Sequence, residues 1–145
     1  MLLEGNFRLP SDREKVWDFI SEPSKIIECV PGLQSFTVGE NRRINATVKV
    51  AIGFIRGTFQ ATSKVVKEDH PNHVAVLELS GSGAGSGFSG NVEISLAEAG
   101  AETDLKWKAD VKISGPLGSL AKPLVEGNVK KIVTQLFECV KTKLS

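Results

Sequence analysis

Between Asp104 and Ile113 the chain alternates without a break. Leu105, Trp107, Ala109, Val111 and Ile113 are apolar, while Asp104, Lys106, Lys108, Asp110 and Lys112 carry charge. Successive side chains of an extended strand point to opposite faces. The segment therefore predicts a strand with one dry and one wet side, the mark of an antiparallel sheet covered on a single face. The same period recurs upstream. Ile44, Ala46, Val48 and Val50 alternate with Asn45, Thr47 and Lys49, and Phe59, Ala61, Ser63 and Val65 with Thr58, Gln60, Thr62 and Lys64. Turn-forming residues separate the runs at Glu40-Asn41, Gly53, Asp69-His70-Pro71-Asn72 and Ala99-Gly100. Runs joined by short turns make an antiparallel meander. At the start of the chain Leu3, Gly5, Phe7 and Leu9 share one face, and Pro10 ends the segment.

Such a sheet needs a cover, and three segments supply it. Ser11-Asp12-Arg13-Glu14 has the spacing of a capping box and leads into Val16, Trp17, Phe19 and Ile20. Ser21-Glu22-Pro23 starts a second short helix with Ile26, Ile27 and Val30, which Pro31-Gly32 stops. After Gly115-Pro116 the period becomes helical, with Leu117, Leu120, Ala121, Leu124, Asn128, Val129, Ile132, Val133, Leu136, Val140 and Leu144 spaced by three and four. A helix from there to the C-terminus would run about 42 Å and cross the whole open face. The predicted class is α+β: a curved antiparallel sheet of about seven strands wrapped around a long C-terminal helix, with two short helices after strand 1. One domain is expected over residues 1–145.

Composition excludes several functions. Eighteen Lys and Arg against seventeen Asp and Glu leave a net charge of +1, which argues against a nucleic-acid partner. The longest uncharged stretch, Leu79 to Val92, is rich in glycine and serine, whereas a spanning helix needs about 20 mostly apolar residues. The opening Met1-Leu2-Leu3-Glu4 has neither a basic leader nor an apolar run, so no signal peptide is expected and the reading is cytoplasmic. In that setting Cys29 and Cys139 are expected to be reduced, half-buried thiols. A bridge would require the two to face each other.

Few residues offer chemistry. Gly85-Ser86-Gly87-Phe88-Ser89-Gly90 fits GxGxxG, but Asn91 to Leu96 alternates as a strand. Phosphates would find no helix N-terminus there, and no cofactor is expected. Gly81, Gly83, Gly85 and Gly87 continue the parity of Leu77 and Leu79. That bare face either receives a bulky group, bends the sheet, or leaves space for a ligand. Asn128 falls on the apolar stripe of the last helix, beside Gly127. A buried amide needs partners, supplied by a water, a sheet backbone group or a ligand oxygen. His70 and His73 form HxxH within a turn. Zinc asks for three or four ligands, no further histidine exists and the cysteines are remote, so the expectation is two solvated turn residues and no metal. Glu78 lies at opposite parity to Leu77 and Leu79. No inward strand position pairs an acid or a base with a partner, so no catalytic residue is assigned.

Several short motifs follow one another along the chain: Gly5-Asn6-Phe7-Arg8-Leu9-Pro10, Val16-Trp17-Asp18-Phe19-Ile20, Cys29-Val30-Pro31-Gly32, Gly53-Phe54-Ile55-Arg56-Gly57-Thr58-Phe59, the run from Gly81 to Gly90, and Gly115-Pro116-Leu117-Gly118-Ser119-Leu120. With them the chain resembles the carbon monoxide dehydrogenase CoxG family, within the SRPBCC superfamily of START domains, pollen allergens and polyketide cyclases. Ser21-Glu22-Pro23 departs from it, since such proteins usually carry Asp before this Pro. The resemblance implies a helix-grip fold with a pocket for an apolar ligand. It also implies an accessory role beside a molybdenum-containing dehydrogenase, linking that enzyme to the membrane and its quinone pool.

A sheet gripping one helix leaves a gap between the layers. An empty gap of about 300 Å³ would cost several kcal/mol at roughly 24 cal/mol per Å³, so it is expected to be small, wet or filled by a lipid-like molecule. The expected lining is Trp17, Phe59, Ser63, Gly83, Phe88, Trp107, Leu120, Leu124, Gly127, Asn128 and Ile132. It suits a hydrophobic small molecule: a prenylated quinone, another isoprenoid or a fatty chain. The apolar tip Ile52-Gly53-Phe54-Ile55-Arg56 is expected to touch a partner enzyme or the inner face of the membrane, because hairpin tips are ordinarily polar. The leading expectation is a non-enzymatic binding protein. The alternatives are a cyclase or dehydratase, which requires an inward acid or base, and a ligand-free interaction module.

Overall fold

The computed structural model describes residues 1–145, and in it the alternating segments become seven strands. These are β1 (Leu2–Leu9), β2 (Leu33–Val38), β3 (Ile44–Ile52), β4 (Ile55–Asp69), β5 (Val74–Gly83), β6 (Ser86–Ala99) and β7 (Glu102–Ser114). They form one antiparallel sheet in the order β1-β7-β6-β5-β4-β3-β2, a meander whose first strand returns to pair with its last. Helix α1 (Arg13–Ile20), helix α2 (Pro23–Ile26) and a 3₁₀ turn at Ile27–Cys29 follow β1. A second 3₁₀ turn at Pro116–Ser119 leads into α3 (Lys122–Leu144). The fold is α+β and of helix-grip type.

The inner face follows the parity read from the sequence. Cross-strand partners share a face, and Phe7, Leu105 and Leu96 are joined in register, as are Gly5, Trp107 and Ile94. Two clusters fill parts of this face. The larger one packs Leu3, Leu9, Leu105, Trp107 and Ala109 of the sheet against Val16 and Trp17 of α1 and Phe137 and Val140 of α3. The smaller one, Ile52, Ile55, Phe59 and Leu117, closes the β3–β4 tip.

Local detail differs from expectation in four places. The capping box does not form. Asp12 is the N-cap and accepts from the Lys15 N–H at 3.0 Å, while the Ser11 hydroxyl donates to the Leu144 carbonyl at 3.0 Å. Ser11 thus ties the end of α3 to the start of α1, and Glu14 is left free for other partners.

The long helix begins later than its period suggests. Leu117 belongs to the 3₁₀ turn, Leu120 is extended with ψ 153°, and Pro123 sits in the first turn of α3. The helix therefore has 23 residues, about 35 Å, and its inward stripe is Val125, Val129, Ile132, Val133, Leu136, Phe137 and Val140. Leu124 and Gly127 turn outward. A Cβ on Gly127 would meet nothing within 4 Å, and glycine inside a helix costs about 1 kcal/mol relative to alanine. Gly127→Ala should accordingly raise stability by about that amount, read as a higher denaturant midpoint at unchanged slope; a lower midpoint would place an unseen contact at this position.

The glycine run is not one strand. β5 ends at Gly83, and Ala84-Gly85, with φ of 51° and 75°, make a two-residue hairpin turn whose left-handed geometry matches strand twist. Parity resets after it, so Phe88 faces inward opposite Gly81. A Cβ on Gly81 would lie 2.5 Å from the Phe88 ring, and one on Gly83 would lie 2.4 Å from the Thr58 carbonyl oxygen. The bare face is occupied by an aromatic ring and by the adjoining strand, and Gly83 does not border open space.

The fourth difference is covalent. Cys29 and Cys139 form a disulfide with Cα atoms 5.5 Å apart, inside the usual range for such bridges. The expectation of two reduced thiols fails because the Ile27–Cys29 turn packs beside the C-terminal half of α3. Spacing along the chain carries no trace of that contact.

Candidate functional site

Between the two clusters the inner face is incompletely covered. Val48 of β3, Ala61 and Val65 of β4, Leu77 and Leu79 of β5 and Ile132 of α3 belong to neither cluster, and each is only half-buried. Register puts the strand residues on one surface: Val48 is paired with buried Phe59, Val65 with Leu77, and Ser63 with both Ile44 and Leu79. Apolar side chains aimed at the interior of a grip fold are ordinarily sealed by the helix above them. Here a strip of them across β3, β4 and β5 stays in reach of solvent.

A cleft of about 380 Å³ opens at the other edge of the same interior. Met1, Val111, Ile113, Leu117, Leu120 and Val125 give it an apolar wall, and Lys112 and Lys122 add two cations. Its size falls within the range of small-molecule sites. A separate depression at Glu40, Asn41, Arg43 and Lys64 has no apolar wall and suits no apolar chain.

The expected lining residues separate into distinct groups. Trp17, Phe59 and Trp107 are at most 6% exposed; the protein's own side chains already cover them, so they offer a ligand no surface. The Trp107 indole lies over Gly5, and its Nε1 is buried without a partner. Phe88 is half-buried, with its ring centroid 6.5 Å from that of Phe59. Leu120 borders the cleft, and Ser63 and Ile132 face the uncovered strip. Asn128, half-buried at the flank of α3, donates its side-chain N–H to the Leu124 carbonyl at 2.8 Å. Leu124 and Gly127 lie on the outer side of α3, and Gly83 is closed off by β4.

The hairpin tip is divided in the same way. Gly53-Phe54 is a two-residue turn, so Ile52 and Ile55 pair across it and point inward, 4% and 6% exposed. Phe54 is 77% exposed, and Arg56 is exposed as well. Leu124, itself 40% exposed, reaches over the tip to Gly53. The exposed large apolar side chains near this tip are Phe54 and Leu124, which periodicity did not pair.

One of the two histidines departs from expectation. His70 is exposed, but His73, with φ 53°, is 4% exposed. Its Nε2–H donates to Glu14 Oε1 at 2.6 Å, and that of His70 donates to Glu14 Oε2 at 2.8 Å. These bonds, that from His70 first, hold the Glu14 carboxyl below its ordinary pKa. The buried imidazole lies at the β4–β5 turn against Trp17 of α1. Glu78 and Glu93 are exposed on the outer face of the sheet.

Comparison with known proteins agrees with this architecture. The family model for CoxG of carbon monoxide dehydrogenase matches residues 5–145. No curated protein matches the chain. The structure of a conserved protein from Geobacillus kaustophilus is similar, with a TM-score of 0.91, 20% identity, and coverage of 99% of this chain and 95% of that one. A START superfamily protein from Mycobacterium smegmatis follows at 0.70 and 13% identity, covering 99% and 96% of the two chains. Ara h 8.0201 gives 0.68 and 15%, with 99% and 97% covered. No helix of the protein is long and apolar enough to cross a membrane.

Proposed function

This chain belongs to the carbon monoxide dehydrogenase CoxG family, and on that basis we propose that it is a non-enzymatic accessory protein that holds an apolar molecule between its sheet and α3. The observation that carries the reading is the uncovered strip of Val48, Val65, Leu77, Leu79 and Ile132. Each of these residues points inward and stays half-buried, so a long apolar guest would remove from water what the protein leaves wet. Burial of apolar surface is worth about 25 cal/mol per Å², and no charge on the inner face of β5 or β6 opposes it. The guest that fits is a prenylated quinone, another isoprenoid or a fatty chain. The expected partner is a molybdenum hydroxylase-type enzyme. Phe54 and Leu124, with Arg56 beside them, are the surface for that enzyme or for the inner face of a membrane. The proposed cytoplasmic setting meets one opposing fact in the Cys29–Cys139 bond, since such bonds persist in oxidising compartments or in the cytosol of hyperthermophiles.

Native mass spectrometry of the purified protein, followed by solvent extraction, tests the reading. The expected result is an added mass of isoprenoid or acyl character. The stripped protein should bind a short-chain prenylated quinone saturably, and Leu79→Trp should weaken that binding by tenfold or more. A protein free of added mass, with no saturable affinity for quinone or fatty acid, would overturn it.

A further inference from the structure

The β4–β5 turn and α1 bring three donor groups together outside the sheet–helix interior. One donor atom each from Glu14, His70 and His73 lies within 4.8 Å of the others. Both imidazoles direct Nε2 at the same carboxylate, at 2.8 Å and 2.6 Å. Trp17 fixes the pair: its ring stacks on His70 at 5.3 Å and 10°, and meets His73 edge-on at 5.5 Å and 81°. His73 is anchored further by its carbonyl, which accepts the Leu96 N–H at 3.0 Å. The Nδ1 atom of His73 is buried and has no partner, so Nε2 is the nitrogen this ring presents to a ligand. Glu14 and His70 are more than half exposed, which leaves the cluster open to solvent on one side.

Two imidazole nitrogens and one carboxylate oxygen are a donor set for borderline divalent ions, whereas calcium and magnesium ask for oxygen ligands. Zinc sites with three protein ligands complete a tetrahedron with water. We propose that Glu14, His70 and His73 form a binding site for a divalent transition metal, with Zn²⁺ the best-fitting ion and a water in the fourth position. Zinc–ligand distances of about 2.0–2.2 Å put tetrahedral donors roughly 3.3 Å apart. The nitrogen–oxygen distances would lengthen by about 0.5 Å, a shift the exposed side chains of Glu14 and His70 accommodate. The ion would replace the two protons that bridge the rings to the carboxylate, with each ring's proton then on Nδ1. That proton faces water at His70; at His73 it is a buried N–H without a partner, a cost that the metal–ligand bonds must exceed. It would clamp α1 to the β4–β5 turn.

Titration of the full chain with Zn²⁺ by calorimetry, and with Co²⁺ by visible absorption, tests this. The expected result is one ion per chain at micromolar affinity or tighter, an intense four-coordinate Co²⁺ spectrum, and a higher melting temperature with Zn²⁺. His70→Gln and Glu14→Gln change exposed side chains, and the metal-free variants should keep the wild-type circular dichroism. Each should weaken Zn²⁺ binding by about 100-fold or more, since even an outer partner of a metal ligand is worth 10–100-fold. Absence of saturable binding below millimolar ion, or equal binding by wild type and both variants, overturns the proposal.

Discussion

Replacing Cys29 and Cys139 together by alanine is expected to lower the unfolding free energy by about 2–5 kcal/mol, a large share of the roughly 5–15 kcal/mol that holds a domain folded. The bond joins residues 110 positions apart. Closing a loop of that length in the unfolded chain removes entropy worth about 5 kcal/mol in the chain-entropy account. It also fastens α3 to the turn that follows α2, and Cys29 lies within the larger core cluster. Denaturant unfolding of the oxidised wild type, the wild type under reductant and the double variant is the measurement. The last two should share a lower midpoint. Coincidence of all three would show that the bond is absent from the folded protein in solution.

The second large effect belongs to Phe59. It is 2% exposed, and only Ile52, Ile55 and Leu117 complete its buried cluster. Phe59→Ala should cost about 3–5 kcal/mol, the usual range for a buried aromatic cut to alanine, because the surrounding side chains relax only partly into the space a ring leaves. The same unfolding assay separates two roles for this residue. A ring that holds the tip closed gives the full loss. A ring that forms part of a ligand wall would cost under about 1 kcal/mol and would weaken quinone binding instead.

Much of the fold was legible because its information is local. Period two assigns a face to each residue without reference to the rest of the chain, and Leu105 to Ile113, Ile44 to Val50 and Phe59 to Val65 took the faces that alternation predicts. Turn residues at Glu40-Asn41, Gly53, Asp69 to Asn72 and Ala99-Gly100 separated the strands correctly. The departures share one origin. Ala84-Gly85 reverses the chain inside a run of even glycine spacing, so parity does not carry past the turn. Likewise the helical period that starts at Leu117 passes through an extended residue and Pro123 before α3 is established. From Val129 onward the stripe is the expected one; only in the first turn does Val125 take the inward place expected of Leu124, and Leu124 and Gly127 face outward.

The site was less legible than the fold. Apolar type says which side of the sheet a residue faces, but Phe59 and Leu79 have equal claims on that criterion. One is sealed and the other half-open, because closure depends on where α3 crosses a curved sheet. Glu14 shows the same limit from another direction. Its spacing from Ser11 suggests a helix cap, while its actual partners are histidines 56 and 59 residues away. No separation along the chain encodes that meeting.

The amino-acid pattern alone established the antiparallel meander, the side of the sheet that is dry, the long covering helix and the family. Each of these follows from side-chain periodicity or from short motifs, which depend on neighbours a few positions away. The pairing of Cys29 with Cys139, the clustering of Glu14 with His70 and His73, and the strip of inward residues left uncovered were decided by the docking of α1 and α3 on the sheet. That docking is set by curvature and close packing among groups brought together only once the chain has folded, and those distances have no counterpart in residue spacing.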